Sequence, residues 1–319
     1  MTRVSVVVPT RERPASLRRA LEALARQEVD GGFEVVVVHD GGERGAEEGP
    51  PVAGLEVKVL RQPAAGAAAA RNLGAAAARG TIVVLQDDDV TVDAGALEAL
   101  AAACEAEPDA IALGQVEDAF DGTPTAFTRL SLEAARRRLA AEGPTPGFVA
   151  CNTQLLAIDR SRLAALGGLR DPSGGWPSWD DVDLGYRAVA MGMRVVRIAG
   201  ARARHWDRHL ADLGSACRRW QEAARSATRL DPAIVEALPM LEDKRPIVWG
   251  RDAPKLVLRK LSRRALSAPA VVSWLESRAA RLERRDPDHA GLERLYRWVV
   301  GAYLYRGYRQ GLRELGGAR

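Results

Sequence analysis

The sequence has few of the residues on which several protein classes depend. It contains three cysteines in 319 residues, at the widely separated positions Cys104, Cys151 and Cys217. Neither a disulfide framework nor a cysteine-based zinc site is therefore expected. Aromatic residues make up only 5% of the chain, which predicts a core of aliphatic side chains. No apolar run approaches the roughly 20 residues that span a bilayer, and the N-terminus enters a strand pattern without a signal peptide. These absences favour a cytoplasmic globular protein.

A second absence concerns the turn after the first predicted strand, which has no glycine. It reads Pro9-Thr-Arg-Glu-Arg-Pro14. This excludes both the GxGxxG dinucleotide fingerprint and the GxxxxGK[ST] phosphate loop. A nucleotide would have to be held by carboxylates at strand ends and by a cation.

Short β-branched runs alternate with helical patterns in the first part of the chain. Strands are expected at residues 3–8, 33–38, 55–60 and 81–85, and a later one at 193–198. This alternation is typical of an α/β fold with a mainly parallel central sheet. The later pattern is helical, so we expect one domain at 1–210 and a basic helical C-terminal region at 211–319.

Charge is unevenly distributed along the sequence. The net charge is +4, yet residues 200–319 contain 25 Lys and Arg against 14 Asp and Glu, a balance of +11. The remaining residues 1–199 carry a balance of −7. The asymmetry predicts either an anionic partner for the C-terminal part or an ordinary solvated basic surface on its helices.

Three adjacent carboxylates, Asp87, Asp88 and Asp89, follow the apolar run that forms the fourth predicted strand. Their mutual repulsion costs free energy unless a cation or hydrogen-bond donors compensate it. Ligands of open α/β sheets bind outside the carboxyl ends of strands, and divalent cations such as Mg²⁺ prefer oxygen ligands. The residues alone leave two interpretations open, a divalent-metal site or a solvated acidic turn before the next helix.

Five motifs stand in the order found in one enzyme family. They are VVVPT (6–10), VVVVHDGG (35–42), GAAAARNLGAAAARG (66–80), LQDDDV (85–90) and WDDVDLGYR (179–187). Together they resemble the family 2 glycosyltransferases over about residues 1–210. The resemblance implies the GT-A fold, also called the nucleotide-diphospho-sugar transferase fold. It also implies transfer of a sugar from a nucleotide-sugar donor to an acceptor hydroxyl.

The resemblance implies a nucleotide-binding role for residues of four motifs. They are Pro9, Thr10, Arg11, Asp40, Arg71, Asp87 and Asp88. The Asp40 carboxylate would accept a ring N–H of the base, although an acid before glycine is also common in turns. Arg71 would approach the base or the diphosphate, or would be a solvated helix arginine. His39 and Gly42 replace the Asp and Ser usual in the family, so the base stays open, with a UDP-sugar favoured.

The same resemblance implies metal ligands and a general base. Asp87 and Asp89 match the DxD pair that binds Mn²⁺ or Mg²⁺, and His205 is a further candidate ligand. The metal would neutralise charge that develops on the departing nucleoside diphosphate. Asp180 and Asp181 begin a helix, where acids also serve as caps. The family places a base here, Asp181 in preference to Asp180, for a single displacement with inversion.

Other functions and partners stay open at this point. A nucleotidyltransferase would share the acidic metal site but would need a glycine-rich turn, and a non-catalytic sugar-nucleotide-binding relative would lack the acids. The acceptor could be a saccharide, a lipid-linked molecule or a small molecule, and no nucleic acid is expected. The aromatic and basic segment Leu292–Tyr308 suits an interfacial helix at the inner face of an anionic membrane. It equally suits a helix packed on the catalytic domain or on a second subunit of a homo-oligomer.

Overall fold

The computed structural model describes residues 2–42, 52, 54–172 and 179–317. The chain divides into two compact units. Unit 1 comprises Met1–Ala119, Ala135–Asp171 and Asp180–Trp206, and unit 2 comprises Phe120–Ala134, Pro172–Trp179 and Asp207–Arg319. The glycine-rich stretch before Asp180, for which the sequence predicts a loop, lies mostly outside the described residues, which omit 173–178.

Unit 1 contains a mixed sheet. Its strands are β1 (Val4–Thr10), β2 (Phe33–Asp40), β3 (Val57–Gln62), β4 (Ile82–Gln86), β5 (Val90–Val92), β6 (Ala110–Ala119), β7 (Leu155–Asp159) and β8 (Arg194–Trp206). They are ordered β3-β2-β1-β4-β7-β6-β8-β5. The pairings β1–β2, β1–β4, β2–β3 and β6–β8 are parallel, and β4–β7, β6–β7 and β5–β8 are antiparallel. The predicted α/β class is confirmed, and the parallel strands β1 to β4 correspond to the alternating part of the sequence.

Helices accompany this sheet and make up most of unit 2. They are α1 (Pro14–Leu24), α2 (Ala67–Ala76), α3 (Ala96–Ala106), α4 (Ala126–Ala141), α5 (Arg160–Ala165), α6 (Asp180–Ala190), α7 (Leu213–Ala227), α8 (Pro232–Ala237), α9 (Pro254–Leu266), α10 (Pro269–Arg285) and α11 (Leu292–Gly317). The predicted helical C-terminal region is thus confirmed. Among the described residues, no helix has the length and apolar character needed to cross a bilayer.

Two aliphatic clusters cover the two faces of the sheet. Val6 and Val8 belong to the cluster that includes Leu17 and Leu21 of α1, whereas Val7 belongs to the cluster that includes Leu184 of α6. Successive side chains of a strand point to opposite faces, so the run of valines supplies both clusters. This explains why the strand reads as continuously apolar instead of alternating.

Two strands extend further than the sequence indicated. We expected β1 to end before Pro9, but the strand continues to Thr10, with Pro9 opposite Val38. Beyond Val7 the described pairing of β1 is with β2 alone, and proline is tolerated at such edge-like positions. β8, expected at residues 193–198, continues to Trp206 because it resumes pairing with β6 after an irregularity at Gly114. His205 therefore lies within a strand and not after one.

Candidate active site

The three carboxylates after β4 face three different partners in unit 1. Asp87 accepts a hydrogen bond from Arg71, Asp88 accepts one from Thr10, and Asp89 lies near His205. A single chain segment thus contacts the end of β1, helix α2 and strand β8. The acids do not form one solvated turn, which was the simpler interpretation of the sequence.

Asp88 is directed at the end of β1. Its Oδ2 accepts a hydrogen bond from Thr10 Oγ1 at 2.7 Å, and its Oδ1 accepts one from Arg13 Nη1 at 3.2 Å. Burial raises the pKa of Asp88 to about 6, although the hydrogen bond from Thr10 and the charge of Arg13 act in the opposite direction. The middle acid therefore joins the glycine-free turn to the acidic segment.

Arg13 is a site residue that the sequence analysis missed. The same Nη1 atom that contacts Asp88 also lies 3.0 Å from Asp89 Oδ2. Arg13 thus partly neutralises two of the three adjacent charges. The turn after β1 contains two arginines, and this basic character was the signal that could have identified Arg13. The sequence analysis selected Arg11 instead, which is exposed.

Arg71 connects two acidic motifs. Its Nη2 donates to Asp87 Oδ1 at 2.6 Å, and its Nη1 donates to Asp180 Oδ2 at 2.8 Å. Burial alone would lower the pKa of Arg71, but the charges of Asp87 and Asp180 raise it above its ordinary value. The guanidinium is buried, so Arg71 is not a solvated helix arginine, and it fixes the start of α6 beside the end of β4.

Asp180 and Asp181 differ in their surroundings. Asp180 is buried and paired with Arg71. Asp181 accepts a hydrogen bond from the amide of Val182 at 2.7 Å. Burial, followed by the negative charge of Asp180, raises the pKa of Asp181 to about 7. A carboxylate with a pKa near neutrality can accept a proton efficiently at physiological pH. Asp180 is thus the ion-paired carboxylate, and Asp181 is the carboxylate whose raised pKa suits a general base. The sequence analysis also preferred Asp181 over Asp180, and its role as the base stays a prediction.

His205 faces Asp89 across the β5–β8 pairing. Val90 is in register with His205, and the amide of Trp206 donates to the carbonyl of Asp89 at 2.9 Å. His205 Nε2 then lies 3.5 Å from Asp89 Oδ1. The extension of β8 places the imidazole at the acidic segment.

The opposite ring nitrogen of His205 contacts two residues that the sequence analysis did not select. Nδ1 lies 2.9 Å from Asp118 Oδ1 and 2.9 Å from Gln154 Nε2. A proton on Nδ1 would be donated to Asp118, and the side-chain amide of Gln154 would then turn its oxygen, not its NH₂ group, toward the ring. This tautomer would leave the Nε2 lone pair directed toward Asp89. A carboxylate that orients a histidine in this way is common around protein metal sites. The position of Asp118 in β6, opposite His205 in β8, depends on strand register, so no local signal indicated it.

The predicted metal ligands can be compared with this geometry. Among the described residues, no three His, Cys, Asp or Glu side chains are arranged to hold a metal ion together. Asp89 and His205 are close enough to share one ion, and carboxylate oxygen with imidazole nitrogen suits Mn²⁺. Asp87 is directed at Arg71 instead. Two of the three predicted ligands therefore fit a divalent cation as they stand.

Asp40 at the end of β2 organises the start of α2. Its carboxylate accepts hydrogen bonds from Gln62 Nε2 at 2.8 Å and from the amides of Ala65 at 2.7 Å and Gly66 at 3.0 Å. An ionised carboxylate has about four acceptor positions. One position could thus receive the ring N–H of a base, so the base-binding role stays a prediction beside a turn-forming role.

Comparison with known proteins identifies the family. The family model described as glycosyl transferase family 2 matches residues 5–156. This segment belongs to glycosyl transferase family 2. The chain is accordingly a glycosyltransferase. Asp180, Asp181 and His205 lie beyond the matched segment, so their roles depend on the contacts described above.

Solved structures show that this glycosyltransferase has the GT-A fold. One is the mannosyltransferase PcManGT from Pyrobaculum calidifontis in complex with GDP-Man and Mn²⁺, with 21% identity and a TM-score of 0.58. That match covers 98% of this chain and 87% of the other. Another is GalNAc-T7 with UDP, GalNAc and Mn²⁺, with 16% identity and a TM-score of 0.56. It covers 82% of this chain and 54% of the other. A search of curated proteins gave no match.

Proposed function

We propose that this glycosyltransferase moves a sugar from a nucleotide-sugar donor to an acceptor hydroxyl in one metal-dependent, inverting displacement. The observation that carries the proposal is the bridge made by Arg71 between Asp87 and Asp180. It links the acidic segment that would receive the donor to the helix that presents Asp181. A candidate base with a raised pKa is thereby fixed near the candidate donor site.

The donor class is supported by the chemistry of the residues and by the fold relatives. One similar structure contains GDP-Man and another contains UDP, each with Mn²⁺. Both ligands are nucleoside diphosphates or their sugar esters, so this chain is proposed to take the same class. A UDP-sugar stays the favoured donor, although His39 and Gly42 beside Asp40 leave the base open. Pro9, Thr10 and Arg11, at and just after the end of β1, are proposed to line the nucleotide.

The proposed reaction uses Asp181 as the general base. Its carboxylate takes the proton of the acceptor hydroxyl while the hydroxyl oxygen forms a bond to the anomeric carbon. The bond from that carbon to the diphosphate breaks, and the electron pair leaves with the nucleoside diphosphate. Attack from the opposite side inverts the anomeric configuration. Asp180 is not assigned this role, because its carboxylate is already engaged by the Arg71 guanidinium at 2.8 Å.

Asp89 and His205 would hold the divalent cation, while Asp87 is paired with Arg71. When bound, Mn²⁺ or Mg²⁺ supplies positive charge that stabilises the diphosphate as it leaves. Arg13 and Arg71 contribute further positive charge near the same acids. Asp118 keeps the imidazole of His205 in position by its contact with Nδ1.

Titration calorimetry of UDP and GDP, each with and without Mn²⁺, tests the proposal. We expect Mn²⁺ to strengthen binding of one nucleotide, and Asp89→Ala to abolish the Mn²⁺ effect because a charged oxygen ligand is lost. Asp109→Ala removes a carboxylate that is exposed and paired with Arg162, so it is a matched control that should bind like the wild type. Failure of both nucleotides to bind would overturn the donor assignment. Unchanged Mn²⁺ dependence in Asp89→Ala would overturn the metal site.

A further inference from the structure

Helices α9, α10 and the first half of α11, all in unit 2, have few acidic side chains, and those of α10 accept hydrogen bonds from other residues of the unit. α9 contains no Asp or Glu. In α10, Glu276 accepts a hydrogen bond from Tyr303 Oη at 2.8 Å, and Glu283 accepts one from the amide of Ala126 at 3.1 Å. In the first half of α11 the one acid, Glu293, is half-buried. These carboxylates therefore contribute little negative charge to the outer surface of the helices.

The exposed positions of the same helices carry arginines. They include Arg264, Arg278, Arg281, Arg285, Arg294 and Arg297, for which no ion pair is found among the described residues. The turn between α10 and α11 adds two exposed acids, and one of them, Asp288, is paired with Arg129 at 2.7 Å. The outer surface of these helices is thus strongly cationic.

Large apolar side chains lie among these arginines. Leu258 is 68% exposed, Leu261 45%, Trp274 54% and Trp298 36%. Leu258 and Leu261 share one face of α9 because they are three positions apart, and Arg278 lies one turn beyond Trp274 on α10. The Arg278 guanidinium lies over the Trp274 ring at 5.8 Å. Exposed leucine and tryptophan beside arginine is the composition of a surface that inserts into a lipid headgroup region.

The segment Leu292–Tyr308, for which the sequence left an interfacial position open, buries its apolar side chains in the protein. Leu292 and Val299 are fully buried, and Tyr296 is in edge-to-face contact with Phe127 at 5.3 Å. α11 therefore packs by its apolar face within unit 2, which was not among the alternatives that the sequence left open. Residues such as Arg297 and Trp298 face outward. The apolar side chains left for a surface come mainly from α9 and α10.

We propose that the outer faces of α9, α10 and the first half of α11 dock on an anionic lipid bilayer. The arginines would neutralise lipid headgroups, and the leucine and tryptophan side chains would enter the headgroup and acyl boundary. A nucleic acid would also attract the arginines, but exposed aliphatic side chains such as Leu258 add nothing to phosphate or base recognition. A second copy of the chain would carry the same positive charge on this surface and would be repelled.

Co-sedimentation of the full-length protein with vesicles tests this proposal. One vesicle is phosphatidylcholine, and the other is two-thirds phosphatidylcholine and one-third phosphatidylglycerol. We expect binding to the anionic vesicle only. The variant Arg278→Gln/Arg281→Gln/Arg285→Gln should bind roughly 100-fold more weakly, since each basic residue near an anionic membrane raises the binding constant by about fivefold. The matched control Arg136→Gln/Arg194→Gln/Arg202→Gln removes the same charge from unit 1 and should bind within about twofold of the wild type.

The contribution of the apolar side chains to vesicle binding is tested separately with the variant Leu258→Ser/Trp274→Ser. Its control is Val189→Ser/Met191→Ser, which changes two exposed apolar side chains of unit 1. We expect the first pair alone to weaken binding, and vesicles with brominated acyl chains to quench tryptophan fluorescence of the wild type. Absence of binding to anionic vesicles, or equal loss in test and control variants, overturns the proposal. Binding of single-stranded polyuridylate that is tighter than binding of the anionic vesicles would also overturn it. The same holds if sedimentation velocity shows a wild-type dimer and the variant Leu258→Ser/Trp274→Ser is a monomer. None of these measurements depends on donor or acceptor identity.

Discussion

At the residue scale, Arg71 couples positions that are far apart in sequence. It contacts Asp180, which is 109 positions away, and Asp87, which is 16 positions away. A guanidinium can serve two carboxylates at once because its donors form a fixed planar fork. Lysine would offer one point charge and could not maintain both contacts at these distances.

Replacement of Arg71 by methionine should therefore destabilise the protein. The change leaves Asp180 buried without its cation, and breaking a buried ion pair in this way costs about 3 kcal/mol of the free energy of unfolding. Urea denaturation monitored by circular dichroism measures the loss. Arg162→Met removes an exposed partner of Asp109 and should cost less than about 1 kcal/mol. Equal midpoints for Arg71→Met and the wild type would show that the bridge does not hold α6.

Asp181 is the residue whose protonation we expect to control turnover. Burial and the charge of Asp180 raise its pKa to about 7. Since a protonated carboxyl cannot accept the proton of the acceptor hydroxyl, we expect slow turnover below that pH. The wild-type rate should rise as the pH increases through about 7. Asp181→Asn should lower the rate by roughly 10²- to 10⁴-fold and leave nucleotide binding unchanged. Release of nucleoside diphosphate across a pH series measures this, and wild-type turnover in the variant would exclude Asp181 as the base.

The same pKa predicts a stability effect of known sign. An acid whose pKa is raised on folding contributes stability below its unfolded pKa of about 4, and this contribution is lost as the pH rises toward 7. Asparagine has no such dependence. Asp181→Asn should therefore gain thermal stability relative to the wild type between about pH 4 and about pH 8. A constant difference between the two melting temperatures across that range would contradict the raised pKa.

At the element scale, helix α6 presents both acids, and its position depends on close packing at Gly185. A Cβ on Gly185 would lie 2.5 Å from Cys151 Sγ and 2.9 Å from the carbonyl oxygen of Phe148. The carbonyl belongs to the backbone and cannot rotate away. Only glycine thus permits this approach of α6 to the segment before β7.

Gly185→Ala should move α6 and misplace Asp181. A displacement near 1 Å at a catalytic group can cost roughly 100-fold in rate, so we expect a marked loss of turnover in a folded protein. Gly147→Ala is the control, because no atom lies within 4 Å of a Cβ there and its φ of −71° suits alanine. Turnover assays and circular dichroism of both variants give the comparison. Equal rates would mean that α6 absorbs the methyl group without moving the site.

Strand β8 shows how an element boundary changes a functional interpretation. The sequence favoured a strand that ends near residue 198, followed by an isolated histidine. The strand instead continues to Trp206, and its pairing with β5 and β6 places His205 opposite both Val90 and Asp118. Strand ends depend on the neighbouring strands that are available, and such neighbours are not visible in local composition.

At the scale of the whole molecule, the net charge differs in sign between residues 1–199 and residues 200–319. The −7 balance of residues 1–199 includes the acids at 87–89, 180 and 181, which require cations. The +11 balance of residues 200–319 includes the arginines on the outer faces of α9 to α11. The sequence alone could not separate a solvated basic surface from a binding surface. The contacts of Glu276 and Glu283 with Tyr303 and Ala126 favour binding, because the charge exposed on α9 and α10 is then mostly positive.

Much of the fold and part of the site were predictable from local patterns. The β-branched runs indicated the α/β fold, because such patterns act over a few residues. The resemblance of five motifs to the family 2 glycosyltransferases indicated the family and most of the acids. Arg13, Asp118 and Gln154 were not predicted, because each reaches the site through tertiary pairing. The burial of Leu292 and Val299 in α11 was equally undetermined, since an amphipathic helix can bury its apolar face in a protein or in a membrane.

The sequence by itself therefore determined the valine-rich strands, the acids at their ends and the excess of basic residues after residue 200. Only the tertiary structure decided which acid is neutralised by which cation. Asp87 and Asp180 are drawn together by Arg71, Asp88 is held by Thr10, Asp89 faces His205, and Asp181 is left with a raised pKa. The physical reason is that burial and charge pairing depend on distance in space, which strand register and helix packing set after the chain has folded.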